Sequence, residues 1–315
     1  MSRYMYQRLV LVLPTVLLAS VLVFLLVRVL PGDLAGASLG DSASQEQVEK
    51  YRDQLGLNDP LPRQYISWIT GVLTLDFGHS GATGQSIAEA LSETLPVTVE
   101  LAFLGMVLGL VVGVPLGIVG AIYRGTYADV ITQVIAVLGL SVPLFVVGLL
   151  AILLPVIWWG WSPPVTYHRL WDDPLANLGQ FLLPAGILSL RLAGINARMT
   201  RSAMLEVMSS DYIRTAHAKG LAKTQVWMRH GLRNALVPIV TIAGIQLVTL
   251  LGGVVIVEQI FGLPGLGRLL LDSVNKHDYV AVQGIVLVMA TAAALINLAV
   301  DLSYLAIDPR MRGAS

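Results

Sequence analysis

One string in this chain has the spacing of a nucleophile. Gly36-Ala37-Ser38-Leu39-Gly40 matches the Gly-x-Ser-x-Gly elbow of serine hydrolases. That elbow needs a strand before it and His and Asp partners. Here it follows a membrane-length apolar run, with no evident partners, and it reads as a flexible exit from that run. A phosphate loop ends in Gly-Lys-Ser/Thr, and Gly-Lys does not occur. There is no His-Glu-x-x-His zinc pattern, and the histidines are scattered. With no cysteine, disulfides, thiolate metal sites and cysteine nucleophiles are excluded.

The residues that do stand out are polar and basic rather than catalytic. Residues 212–235, YIRTAHAKGLAKTQVWMRHGLRNA, form a cationic, helix-prone segment in a chain that is 55% apolar and 13% charged. Asp211, Tyr212, Arg214, Thr215, Ala216, His217, Ala218 and Lys219 favour a short helix ending at Gly220, which can take the left-handed cap conformation. Thr224 through His230 favour a second short helix before Gly231. Such a pair projects as an elbow. A lipid-surface helix is the plain alternative, but bulky apolar anchors are few on any one face, and small Ala216 and Ala218 suit a groove on a partner.

The elbow must be held by membrane spans. Charge this sparse indicates a polytopic membrane protein, and zero net charge provides no global field for nucleic acid. Six spans are expected, at about 9–30, 97–122, 130–157, 181–199, 235–257 and 280–300. The first is a retained span rather than a cleaved signal, since no small-residue cleavage pattern follows it. The fourth is weaker because it contains Arg191. Arg3 and Arg8, the basic 198–233 segment, and Arg310 and Arg312 fall on one side, which should be cytoplasmic. The acidic connection 31–96 belongs outside. Within it, Ser44 caps a helix that Gly56 stops, and residues 64–73 form an amphipathic helix with Tyr65, Trp68 and Ile69. The fold class is thus all-α: a polytopic bundle with a small external helical cap over 31–96 and a core over 97–315.

Inside the spans, Gly105, Gly109, Gly113 and Gly117 recur every fourth residue and drift by only about 40° per step, so they form one groove for a close helix neighbour. Both static packing and a moving contact fit that groove. Pro143 and Pro155 interrupt the hydrogen-bond ladder of the third span. Arg191, Arg198 and Arg201 fall near one helical face. For Arg191 three placements are open: snorkelling, a watery cavity, or pairing with an acid such as Asp301. Asn196, Gln246, Gln283 and Asn297 are pathway candidates, each equally able to serve as an interhelical hydrogen-bonding residue.

Arg214-Thr215-Ala216-His217-Ala218-Lys219-Gly220, followed after a gap by His230-Gly231-Leu232-Arg233-Asn234-Ala235, resembles the EAA loop of ABC-importer inner-membrane permeases, in the form found in the peptide/nickel subfamily. The loop spans about 203–235, and Gly220 matches its central glycine. Arg214-Thr215-Ala216 stands where the general pattern has Glu-Ala-Ala, and Leu232-Arg233 replaces its Leu-Pro ending. Leu30-Pro31-Gly32-Asp33, Leu55-Gly56-Leu57 with Pro60, Asp76-Phe77-Gly78, Leu95-Pro96 with Thr98, Phe261-Gly262-Leu263-Pro264-Gly265-Leu266-Gly267 and Ala306-Ile307-Asp308-Pro309-Arg310 extend the resemblance to nearly the whole chain.

The resemblance implies one half of a permease heterodimer in a bacterial or archaeal cytoplasmic membrane, with both termini cytoplasmic. A second permease, two ATP-binding subunits or one fused or homodimeric ATPase, and an external substrate-binding protein would complete it. ATP and Mg would bind the partner ATPases and no cofactor would bind this chain. Residues 211–220 would be the coupling helix, so that Gly220→Asp or Ala216→Asp leaves insertion intact and uncouples hydrolysis from uptake. Short peptides are the first cargo, and nickel or another small solute the alternative. A self-sufficient secondary carrier is the competing class; it expects inverted repeats or ion-coupling acids within the membrane, and neither is convincing here.

Overall fold

The computed structural model describes residues 2–29, 35–36, 44–54, 56–164, 166–222 and 225–307, apart from the side chains of 2–8, 54, 217, 230, 251 and 304–307. Leu30-Pro31-Gly32-Asp33, Ser38, Leu55, Lys223, Thr224, Asp308-Pro309-Arg310 and Arg312 lie outside the described residues, as do the side chains of Arg3, Arg8, His217 and His230.

The described chain is helical, with one isolated β-bridge between His79 and Ser86. In order come α1 (Ser2–Val29), α2 (Gln45–Gln54), α3 (Leu61–Leu73), α4 (Ile87–Ile122), α5 (Tyr127–Ser141), α6 (Leu144–Trp159), α7 (Pro174–Met208), α8 (Asp211–Ala218), a π-helical turn (Val226–Leu232), α9 (Arg233–Phe261), α10 (Leu266–Asn275) and α11 (Tyr279–Ile307). Among the described residues, five helices contain a stretch long and apolar enough to cross a membrane, in α1, α4, α7, α9 and α11. Two bent pairs also qualify, α5 with α6 at 93°, and Gly252–Phe261 of α9 with α10.

Each bend has a local cause. Proline disfavours a helical residue before it and cannot donate to the ladder. Val142 is accordingly extended (φ −80, ψ 125) and α6 restarts after Pro143. The third span, expected as one kinked helix, is therefore broken. At the other bend Gly262 takes the left-handed conformation (φ 66) that ends α9. The Leu263 amide donates to Glu258 O at 3.0 Å, and α10 starts after Gly265.

The chain divides into two compact units. The first holds the described residues of 99–263 and 296–307, with residues 2–5. Its central helix is α7, which Asp173 caps by accepting the Ala176 amide at 3.0 Å, with Pro174 at its start. Its apolar stretch is 56% buried, more than in the other four unbroken spans. That is why the fourth span is weakly hydropathic: it faces protein, and it buries Asn177, Gln180, Ser189, Asn196 and Thr200. The loop before it is pinned by Gln180 Oε1, which accepts the His168 amide at 3.0 Å, and by Asn177 Nδ2, which donates to His168 O at 3.0 Å.

The second unit holds residues 6–98 and 264–295. Ile87, Leu91, Leu266, Ala281 and Ile285 form its core, with Phe77, Leu95 and Leu269 packed on it. The α3 helix lies against α1, where the Phe24 ring meets Tyr65 edge-on at 5.3 Å. Arg28 Nε donates to Gln64 Oε1 at 2.9 Å. Ser44 and Gln47 cap α2 reciprocally, at 3.2 and 2.8 Å, and Gly56 (φ 62) turns the chain after it. Burial, with Asp278 adding to it, pushes the Tyr51 phenol up to about 12.

Candidate coupling elbow and intramembrane polar residues

The elbow follows directly from α7. Ser209 and Ser210 close that helix, and α8 begins at Asp211. The apolar residues of α8 fall on one face, where Ile213 (1% exposed) and Ala216 (8%) join fully buried Val226. Val207 and Met208 of α7, together with Leu221 and Trp227, surround them. The elbow is thus clamped to the end of α7 and to the turn that leads into α9. The Asn234 side-chain amide adds a polar tie, donating to the Tyr212 hydroxyl at 2.9 Å.

The other face is open. Asp211, Tyr212, Arg214, Thr215, Ala218, Lys219 and Gly220 are exposed. Asp211 and Arg214 form an ion pair on that surface, and Thr215 Oγ1 donates to Asp211 O at 3.0 Å. Gly220 has φ +78, and nothing lies within 4 Å of where a Cβ would point. Of the small residues expected to face a partner, Ala218 and Gly220 are exposed, whereas Ala216 points inward. An aspartate at 216 would put a carboxylate into the Ile213–Val226 cluster, so its effect would report on the elbow's own packing.

The segment after the elbow differs from expectation. No helix stops at Gly231. A π-helical turn spans Val226–Leu232 and runs straight into α9. Gly231 is there for closeness rather than for a stop, since its Cβ would sit 3.3 Å from Met204 Cε and 3.4 Å from Met208 Sδ. Extra residues wound into a helix commonly mark functional positions. Ala203, Met204, Ala235 and Ile239 continue this contact between α7 and α9.

Deeper in the first unit, two of the four pathway candidates meet. Gln246 Nε2 of α9 donates to Asn196 Oδ1 of α7 at 3.2 Å, and both side chains are buried. Asn196 Nδ2, Gln246 Oε1 and the nearby Thr200 hydroxyl have no hydrogen-bond partner. Asn297 is exposed and does not join them. Gln283 belongs to the second unit, where it lines a cavity of about 240 Å³ with Arg28, Gln64 and Asp76.

The arginines of α7 part company. Arg201 makes a two-pronged ion pair with Asp129 of α5, at 2.7 and 2.8 Å. Asp129 also accepts from the Gly125 amide at 3.0 Å and from Gln133 Nε2 at 2.8 Å. Asp129 is a structural residue that sequence reasoning missed. The sequence shows only an acid at the start of a span, and its partner lies far along the chain. Arg191 lines two cavities, and among the described residues neither Asp301 nor any other acid pairs with it.

The glycine stripe of α4 closes on α7. A Cβ at Gly109 would lie 2.6 Å from Leu192 Cβ, at Gly113 2.6 Å from Ala193 O, and at Gly117 2.5 Å from Ala197 O. Only hydrogen side chains permit this approach.

Residues 113–313 match the family described as the inner membrane component of binding-protein-dependent transport systems, and residues 1–102 match its N-terminal family. The chain is 40% identical over 312 residues to the glutathione transport system permease protein GsiC of Salmonella typhimurium strain LT2, and 39% identical to that of Escherichia coli K12; each match covers 99% of both chains. Among solved structures it is similar in fold to the MetNI methionine ABC transporter in an inward-facing conformation, with a TM-score of 0.57, 21% identity, and 70% of this chain and 96% of that one covered. An amino acid ABC transporter is similar with a TM-score of 0.52 and 16% identity, covering 70% and 94%.

Proposed function

The chain belongs to the family of binding-protein-dependent transport system inner membrane components, and from that premise we propose that it carries short peptides and that α8 is its coupling helix. It is a permease subunit of an ATP-driven importer, a multi-pass inner-membrane protein that moves cargo. It assembles with a second permease as a heterodimer. Two ATPase domains, on separate or fused chains, bind the ATP and Mg. A binding protein delivers cargo to the acidic outer segment, and both termini of this chain are cytoplasmic.

One observation carries the coupling role: α8 is locked on its inner face to the ends of two spans, while its outer face is left open. An element held this way passes an external push to α7 and α9 together. The outer face presents Arg214, Ala218 and Lys219 to an ATPase groove. Closure of the ATPases would drive the elbow toward the membrane and turn the attached spans. The peptide cargo is supported by the full-length likeness to permeases named for glutathione, a tripeptide.

The test is reconstitution of the assembled importer in vesicles with its binding protein. Uptake of a labelled tripeptide should require ATP and persist without an ion gradient. Uptake that continues without ATP and follows a proton or sodium gradient would place the chain among secondary carriers.

A further inference from the structure

Arg191 stands midway along the 35-residue α7, inside a helix apolar enough to cross a membrane. A guanidinium at such a depth faces a watery cavity or an anionic partner. Among the described residues it has no ion pair or hydrogen bond. It is exposed in the isolated chain and borders two cavities of the first unit, of about 410 and 500 Å³. Among the described residues of both linings it is the sole charged one.

The larger cavity adds a second polar group. Gln246 lines it, is 4% exposed, commits Nε2 to Asn196 and keeps Oε1 unpaired. Turning both amides over exchanges which atoms are free and still leaves one on each residue. A buried amide atom without a partner is costly, and a ligand amide would satisfy it. The remaining wall includes Leu192, Ile245 and Leu250, with Thr249. A cavity of this size falls in the range of small-molecule sites, which combine apolar walls with a few placed polar groups.

We propose that the cavity lined by Arg191 and Gln246 is a cargo subsite that receives the carboxylate of a short peptide in transit. Arg191 takes the carboxylate, Gln246 takes a backbone amide group, and the apolar wall takes a side chain. A lone guanidinium repels a divalent cation, so the subsite disfavours nickel. This inference rests on the peptide reading above and adds the group by which the permease itself holds the cargo.

The test uses the complete importer in lipid nanodiscs without its binding protein. Binding of a radiolabelled tripeptide and of its C-terminal amide is measured for the native importer, Arg191→Gln, Arg191→Lys and Gln246→Leu. The native importer should bind the free acid more tightly than the amide. Arg191→Gln should weaken the acid at least tenfold, about 1.4 kcal/mol, and leave the amide unchanged. Arg191→Lys should keep part of the preference, and Gln246→Leu should weaken both ligands alike. Equal binding of the acid by Arg191→Gln and the native importer overturns the subsite while the peptide reading stands. Failure of Arg191→Gln to assemble with its partner chains makes the arginine a structural group and also overturns it. Binding of neither peptide by the native importer removes the peptide reading as well.

Discussion

Replacing Ile213 with alanine separates the elbow's two faces. Ile213 is 1% exposed and is the largest of the buried side chains in the cluster that clamps α8 between α7 and the π-helical turn. Removing a buried isoleucine side chain to alanine costs about 2–5 kcal/mol. Full burial of an aliphatic side chain contributes only about 1.5–3 kcal/mol. The clamp has one other bulky, fully buried member, Val226, beside small Ala216. The loss is therefore a large part of what the buried members of the clamp supply, and α8 should dock more loosely against Met208, Leu221 and Trp227. The outer residues Arg214, Ala218 and Lys219 are untouched, so the ATPase should still engage. In vesicles holding the complete importer, Ile213→Ala should hydrolyse ATP at a rate near normal while peptides moved per ATP fall at least about tenfold. Ile213→Val, which costs about 0.5–1.5 kcal/mol, should transport nearly as the native chain does. Amide exchange across 207–227 should speed up in the alanine variant and scarcely change in the valine one. Normal transport per ATP from Ile213→Ala, with exchange accelerated as expected, would show that a rigid clamp is not needed for coupling.

Other substitutions probe the scaffold. Gly113→Ala should destabilise the first unit by about 1–3 kcal/mol, the usual cost of overpacking, because its Cβ meets Ala193 O at 2.6 Å; Gly186→Ala, with open space around it, should be neutral or mildly stabilising in the same thermal unfolding series. Asp129→Asn should lower the unfolding midpoint of the detergent-solubilised chain by several degrees, since it leaves Arg201 opposite a neutral amide; an unchanged midpoint would make that ion pair dispensable. Gly220→Ala should weaken the elbow by about 1–2 kcal/mol, the cost of a left-handed residue with a side chain, visible as faster amide exchange at 211–222. Tyr212→Phe removes the hydroxyl that accepts from Asn234 Nδ2 and should reduce transport per ATP by a few-fold, matching a single hydrogen bond of about 1 kcal/mol.

Much of this architecture was legible because it is locally encoded. Ser44, Gly56 and Gly220 act through cap and turn chemistry that a few neighbouring residues determine, and each marks a helix start or stop. The every-fourth-residue glycines of α4 encode a close contact without saying which helix makes it; the structure assigns α7. What could not be read depends on distant residues. Gly231 looks like a stop in sequence and is a contact point in space. The weak hydropathy of the fourth span reflects burial within protein, which a composition window cannot distinguish from poor membrane fit. The Arg201–Asp129 pair joins residues with no sequence signal in common. The inward turn of Ala216 was readable, since Ile213 and Ala216 lie three apart and share one helix face.

The chain's lack of cysteine permits the most direct measurement of the lever. A single cysteine is introduced as Ala218→Cys on the open face, or as Val226→Cys in the buried clamp. The assembled importer is then treated with a short bifunctional cross-linker that bridges cysteine to lysine. If the elbow transmits force from the ATPase, Ala218→Cys joins the ATPase chain, more so when nucleotide closes it, and Val226→Cys does not. If Ala218→Cys instead reacts freely with a soluble maleimide in the intact assembly and joins no ATPase in either state, the elbow is no lever.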